Sequence, residues 1–326
     1  MPVMAKGKSG KKTSLKAALS SQQSRLKKKQ VASQAAHLAE RSKKGTQSQS
    51  KGKGKALPPR STIPFHPTDH ILLVGEGNFS FARALVFHPP SSLVYLPAAN
   101  VTATAYDSEE DCYAKYPDAA DIVSALRDKG VEVVFGVDAT RLEKCAALRG
   151  RKWNRVVWNF PHAGKGITDQ DRNILTNQLL VMEFLRSAAN ILTTGMIPSV
   201  MQSRKRKQEA DDEEDEAEED NASQGGVHAD GIGSSNAKTR GTILITLRNV
   251  PPYTLWDVPK LAKDPPPSSS ASRKPSPRYV QLRSFVFHRN EWKGYEHRMT
   301  KGERAHGLGK TGEGGEDRTW EFCLKD

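Results

Sequence analysis

The sequence predicts a doubly wound α/β domain on an open, mostly parallel sheet with a reversed strand at its edge. Three observations predict it. Short apolar runs alternate with helical patterns along the chain, as in repeated β-α-β units. The first run ends in a glycine turn that opens a helix. The last two β-rich segments have no helical pattern between them, so they can pair antiparallel.

The elements follow in order. His70-Ile71-Leu72-Leu73-Val74-Gly75 is a continuous apolar run, the form of a strand buried on both faces. A helix is expected over 79–87, stopped by Pro89-Pro90. Asn100 to Tyr106 reads as the second strand, and 108–129 as helix interrupted at Pro117 and closed by Gly130. Val131 to Val137 and Arg155 to Phe160 are the third and fourth strands. Ile174, Leu175, Leu179, Met182 and Leu185 form a helical stripe within 169–192. Thr242 to Leu247 is the fifth strand, 256–262 a short helix, and 279–288 and 319–324 the last strands.

Charge is distributed unevenly over the 326 residues. Residues 1–60 hold 16 Lys+Arg and one acid, so nearly all the basicity of a chain with net charge +13 lies in an N-terminal arm. Such an arm reads either as a solvated tail or as a nucleic-acid-binding arm and nuclear or nucleolar address, since dense Lys/Arg releases counterions from phosphate whatever the base sequence. Residues 1–66 are therefore expected to be a disordered basic arm and 67–326 the folded domain. Within that domain, 201–240 carries 6 basic and 11 acidic residues and reads as a disordered charged insertion. Its Arg204-Lys205-Arg206-Lys207 suits a nuclear import signal or a merely solubilising loop, and 264–277 is a flexible linker. No apolar run approaches the ~20 residues of a membrane span, and the N-terminus lacks the apolar core of a secretory signal. Cys112, Cys145 and Cys323 lie far apart, which fits a reducing compartment and offers no metal site.

Ligands of open α/β sheets bind where strands end. After strand one comes Gly75-Glu76-Gly77-Asn78-Phe79-Ser80, a turn where a ligand can approach bare backbone near a helix N-terminus. It lacks the third glycine of the dinucleotide fingerprint. Asp107 follows strand two, placed either to accept from ribose hydroxyls or to cap the next helix. Asp138 follows strand three, beside an adenine amino group or again as a cap. After strand four, Asn159-Phe160-Pro161-His162 is a relative of the Asn/Asp-Pro-Pro-aromatic turn of amino-group methyltransferases.

Together, Gly75 to Phe81, Thr104 to Ser108, Gly136 to Thr140 and Asn159 to His162 resemble the ribosomal RNA uridine-N(3) methyltransferase family, typified by the fungal 25S rRNA enzymes. Pro252 to Trp256 and Gly294 to Gly302 agree with it, so the resemblance covers about residues 68–326 outside the charged insertion. It implies a Rossmann-like class I methyltransferase sheet, S-adenosylmethionine (SAM) as cofactor, ribosomal RNA in a pre-ribosomal particle as partner, and nucleolar work. Under it, Gly75, Glu76, Gly77, Asn78, Ser80, Asp107 and Asp138 are expected at the cofactor. Asn159 is expected on the uracil edge with Pro161 shaping the turn, Phe160 stacked on the base, and His162 taking the N3 proton.

Two other readings fit the same pattern. A non-catalytic RNA-binding assembly factor on this fold binds RNA without SAM. A nucleotide-linked oxidoreductase binds NAD, although the missing third glycine and the Asn159–His162 turn weigh against it. The arm carries its own expectation. Deleting residues 1–60 should flatten the dependence of RNA affinity on salt, measured as the slope of log K against log salt; an unchanged slope overturns its role.

Overall fold

The computed structural model describes residues 20–26, 28, 61–198, 239–267, 275–300 and 315–326. Seven strands form one sheet: β1 (Ile71–Leu73), β2 (Val101–Thr104), β3 (Glu132–Val134), β4 (Arg155–Asn159), β5 (Thr242–Arg248), β6 (Tyr279–Val286) and β7 (Asp317–Leu324). Their order is β3-β2-β1-β4-β5-β7-β6. The first five run parallel, with Leu73 in register with Ala103 on one side and Val157 on the other. Strand order reverses between β1 and β4, which creates the crevice where such sheets take ligands. The expected reversed strand is β7, antiparallel to both neighbours, and it sits one place in from the edge. The reason is burial: β7 hides most of its side chains, whereas β6 is largely half-buried and suits the edge.

Among the described residues from 61 onward, five α-helices cover the two faces: α1 (Ser80–Phe87), α2 (Glu109–Lys115), α3 (Ala119–Asp128), α4 (Gln170–Ala188) and α5 (Val258–Lys263). Side chains alternate across a strand, so each strand feeds both faces. Leu73, Ala103, Val157 and Leu244 pack with α1 and α3, while Leu72, Val156, Trp158, Ile243 and Ile245 pack with α4 and α5. The expected 108–129 helix is split as Pro117 dictates. Ser108 caps α2 by accepting from Asp111 N at 3.1 Å, and Asp169 caps α4 by accepting from Arg172 N at 2.7 Å. Short 3-10 turns, which the periodicity does not signal, occupy 91–93, 98–100 and 139–144.

The fold begins before residue 67. Phe65 is buried against Trp292, and Arg155 Nε donates to the carbonyl of Pro64 at 3.1 Å. Residues 20–26 are helical, with Gln23 Nε2 donating to Asp171 at the start of α4 (2.9 Å). This stretch of the expected arm is therefore held by polar contacts that a reading of hydrophobic pattern cannot register. The rest of the arm, 201–238 of the insertion and 268–274 of the linker lie outside the described residues. Among the described residues no helix is long and apolar enough to cross a membrane.

Phe184 on α4 is fully buried, its ring 4.4 Å from the Trp158 indole. Phe184→Ala should cost about 3–5 kcal/mol, read as a lower urea midpoint at unchanged slope.

Candidate active site

The parallel register brings the ends of β1 to β4 to one edge of the sheet, and backbone bonds stitch them together. Glu76 N donates to Thr104 O (2.8 Å), Val137 N to Ala105 O (2.9 Å) and Gly136 N to Asp107 O (2.9 Å). The glycine turn is shaped by two different demands. Gly75 has φ +66°, and a Cβ there would sit 2.8 Å from Trp158 Nε1. Gly77 needs no unusual φ; a Cβ there would meet Arg298 Cβ at 3.4 Å and the Tyr116 ring at 3.5 Å. The glycine bend and the Asn159–His162 corner are thus neighbours, because Trp158 immediately precedes Asn159.

Glu76 turns its carboxylate onto the helix that follows, with Oε2 accepting from Ala82 N at 3.3 Å. That places a carboxylate at the positive end of α1. Burial pushes its pKa up to about 7, against the lowering effect of the Ala82 and Phe81 amides. Asn78 is buried and spends its amide within the protein: Oδ1 accepts from Ser80 N (3.2 Å) and Nδ2 donates to Asp118 (2.8 Å). Ser80 Oγ donates to Glu296 O (2.9 Å) and accepts from Glu296 N (3.1 Å). Asn78 and Ser80 thus spend their side-chain polar atoms on the shape of the turn. Motif spacing fixes their place in the loop but not the direction in which their side chains point.

Asp107 stands at the end of β2 in an ion pair with Lys115 Nζ (2.6 Å). Asp138 caps the 139–144 turn through one oxygen, accepting from Thr140 N (2.8 Å) and Oγ1 (2.7 Å), while Arg141 lies 3.9 Å from the other. Beside Asp107, the Tyr106 ring is 71% exposed, an aromatic face open at the same edge.

At β4 the corner divides. Asn159 shares a side of the sheet with Val157, and its Nδ2 is buried with no hydrogen-bond partner. Phe160 has φ +53°, and its N–H donates to Thr246 O at 2.8 Å. Its ring is engaged by the Arg289 guanidinium (5.0 Å) and by His297 (4.3 Å), with Phe287 at 6.1 Å. Phe160 thus anchors the corner instead of standing ready to stack on a base; the positive φ turns it inward. His297 is held neutral, its pKa pushed down to about 4 by burial and by Arg289 and Arg248. Pro161 is buried, and Asn177 of α4 accepts from Ala163 N at 2.8 Å, tying the loop to the helix. His162 lies on the opposite side from Phe160, beside the Trp256 ring at 6.1 Å.

A segment that pattern reading leaves without a role bridges these parts. Residues 294–300 run from Ser80, past Gly77 and Phe160, to Gly164, where a Cβ would meet Thr300 at 2.9 Å. Tyr116 Oη donates to Met299 O (2.8 Å), and Arg298 pairs with Asp118 (3.1 Å) and Glu296 (2.8 Å). In the sequence it shows only as part of the family resemblance at Gly294 to Gly302, with no periodicity to say what it touches.

Residues 72–299 match the model of the BMT5-like family, described as rRNA (uridine-N3-)-methyltransferase BTM5-like. The chain belongs to this family. Among BMT5-like relatives, it is 28% identical over 265 residues to the 25S rRNA (uridine(2634)-N(3))-methyltransferase of Saccharomyces cerevisiae, covering 74% of this chain and 69% of that one. An uncharacterized Arabidopsis thaliana protein is 36% identical over 131 residues, covering 39% of this chain and 60% of its own. The mouse ferredoxin-fold anticodon-binding domain-containing protein 1 homolog is 36% identical over 122 residues, covering 37% of this chain and 18% of its own. The BMT5-like match contains the glycine turn, Asp107, Asp138 and the whole β4 corner.

The position of Glu76 has a measurable consequence. Its native pKa of about 7 lies above its ordinary 4.5, so between those values the folded protein holds a proton that the unfolded chain releases. Stability should fall as pH rises through that window and level off above it. Glu76→Gln should remove that slope, measured by urea unfolding from pH 4.5 to 8; parallel curves for the two proteins refute the assignment.

Proposed function

We propose that the chain transfers a methyl group from SAM to N3 of a uridine in large-subunit ribosomal RNA. The observation that carries this reading is the buried Asn159 amide nitrogen, which has no protein partner at the tip of β4 beside the glycine bend. A donor left unspent in such a place suits a ligand that the protein itself does not supply. Family membership supports the reaction class.

The residues of the edge fit SAM. The Gly75–Gly77 backbone gives it room, Asp107 would accept from its ribose hydroxyls, and the outer oxygen of Asp138 would accept from its adenine amino group. When bound, the cofactor supplies an electrophilic methyl on a sulfonium centre. Glu76 favours that cation over a dinucleotide. Its carboxyl already takes an amide at the start of α1, where NAD would need to lay its pyrophosphate.

The chain's remaining task is to hold uridine in line and to make N3 nucleophilic. Asn159 would bind the uracil edge, and the corner around it is rigid because Phe160, Pro161 and Ala163 are each anchored. The base must be unpaired or flipped to reach it. The basic arm supplies affinity for the RNA backbone, and its composition suits work in the nucleolus.

Titration calorimetry should show binding of SAM and none of NAD. Asp107→Ala should weaken SAM by roughly ten- to a hundredfold, the worth of hydrogen bonds to a charged group. Nucleoside mass spectrometry of rRNA from cells lacking the protein should show loss of one 3-methyluridine. RNA binding without SAM affinity overturns the reading in favour of an assembly factor.

A further inference from the structure

We propose that the helical segment 20–26 docks the basic arm at the catalytic edge of the sheet, so that the arm's cations hold the phosphate backbone of the RNA strand beside the uridine being methylated. The arm is then a placed part of the RNA site and not an unplaced tether. This rests on the reading of the chain as an RNA methyltransferase and adds where its RNA runs.

The place of the contact carries the argument. Gln23 Nε2 donates to Asp171 Oδ1 at 2.9 Å, across 148 positions of the chain. Asp171 is the second residue of α4, the helix that follows β4 and its Asn159–His162 corner. A helix that follows a parallel strand runs back antiparallel to it. The first turn of α4 therefore lies at the strand-end edge that carries the glycine bend, Asp107 and the corner. Asn177 of α4 accepts from Ala163 N at 2.8 Å, and Asn173 Nδ2 donates to the carbonyl of Ile167 at 3.2 Å, which fixes the connection. Gln170, next to Asp171, lines a solvent-open cleft together with His162. The folded domain is entered from the opposite end of the strands, where Arg155 at the start of β4 donates to the carbonyl of Pro64. A tail without a docking role would leave the molecule from there. Segment 20–26, about forty positions upstream, is instead seated at the far edge.

The seam is built so that it spends no cation. Gln22 and Gln23 are 8% and 7% exposed, whereas Arg25 and Lys28 are exposed. Spaced i and i+3, those two cations share a face of the helix. A solvated tail buries no side chains; here two neutral amides are covered and the charges look outward. Glutamine at this contact also covers a carboxylate that would repel phosphate, without neutralising any lysine or arginine of the arm. The occupant is set by charge. Residues 1–60 hold 16 Lys+Arg and one acid, with the docked segment inside that run. A polyanion is therefore the partner. The RNA that presents a base to the corner carries phosphates on both sides of that base, and the docked cations meet them at raised local concentration.

The test uses the full-length protein, SAM and rRNA from cells lacking the protein. It compares the wild type with the double variant Gln22→Ala/Gln23→Ala and with Asp171→Ala. Neither variant removes a lysine or arginine, so both should keep the wild-type slope of log K against log salt. Both should lose about tenfold in kcat/KM, the effect of releasing a local tether. An iron chelate attached at Ser24→Cys should cleave the rRNA backbone in one cluster flanking the methylated uridine. That cluster should scatter when Gln22 and Gln23 are replaced. The same label on protein without the new cysteine, where Cys112 and Cys323 are buried, supplies the background. Scattered cleavage with both glutamines in place, and unchanged kcat/KM in the variants, makes the arm an unplaced tether and overturns the proposal. A gain in kcat/KM overturns it as well, because the segment would then obstruct the edge. The variants should keep wild-type SAM affinity and urea midpoint; a lower midpoint with cleavage still clustered assigns the contact to folding alone and overturns the proposal. If SAM and RNA bind but no 3-methyluridine forms, the parent reading fails. The cleavage map then decides the docking by itself, one cluster supporting it and scatter refuting it.

Discussion

The close approach of Gly75 to the Trp158 indole is the constraint on which the site depends. β1 and β4 are adjacent strands on either side of the point where strand order reverses, and their ends must meet without filling the crevice between them. Glycine in a left-handed conformation lets the first strand turn away at once, and the indole passes where a side chain would have been. Phe184 fixes the other side of that indole. The core of the α4 face thus sets the position of the glycine turn, although no residue of α4 belongs to the turn. Trp158 and Asn159 are consecutive and point to opposite faces, so the packing that locks the indole also aims the Asn159 amide.

Carboxylates gather around this point, several of them already paired with cations. Glu76 holds a carboxylate at the start of α1, and Asp107 and Asp138 extend the acidic character along the ends of β2 and β3. On the other side of Asn159, Arg248 and Arg289 flank His297 and keep it neutral. A cationic cofactor is favoured on the acidic side, and an anionic RNA backbone or an imidate on the basic side. The oxidoreductase alternative is set aside by the family match, independently of how many glycines the first turn contains.

The sheet was legible because buried parallel strands read as uninterrupted apolar runs and because Pro117 and Gly130 punctuate the helices between them. The position of the site was legible for the same reason: it lies wherever those runs stop. What the residues there do was less so. Asn78 and Ser80 occupy the glycine turn, yet they face Asp118 and Glu296, partners 40 and 216 positions away that no local spacing encodes. Phe160 belongs to the corner, but a backbone reversal with positive φ sets its half-buried ring against Arg289 and His297. The 294–300 segment has no periodicity at all; its role comes from where β6 delivers it, against Gly77 and Gly164. Sequence spacing places residues along the chain, whereas side-chain direction here is set by distant contacts that spacing does not encode.

The same reversal divides the Asn159–His162 corner between the two faces of the sheet. In an extended strand successive side chains would alternate; the reversal at Phe160 breaks the alternation and sends Asn159 and Phe160 to the α1 side, while His162 goes to the α4 side. The loop between them is short and is tied down on both faces. Ala163 tied to Asn177, and Phe160 gripped by Arg289, keep it from rocking. Its stiffness, more than the chemical identity of any one member, is what the Asn-Phe-Pro-His order secures.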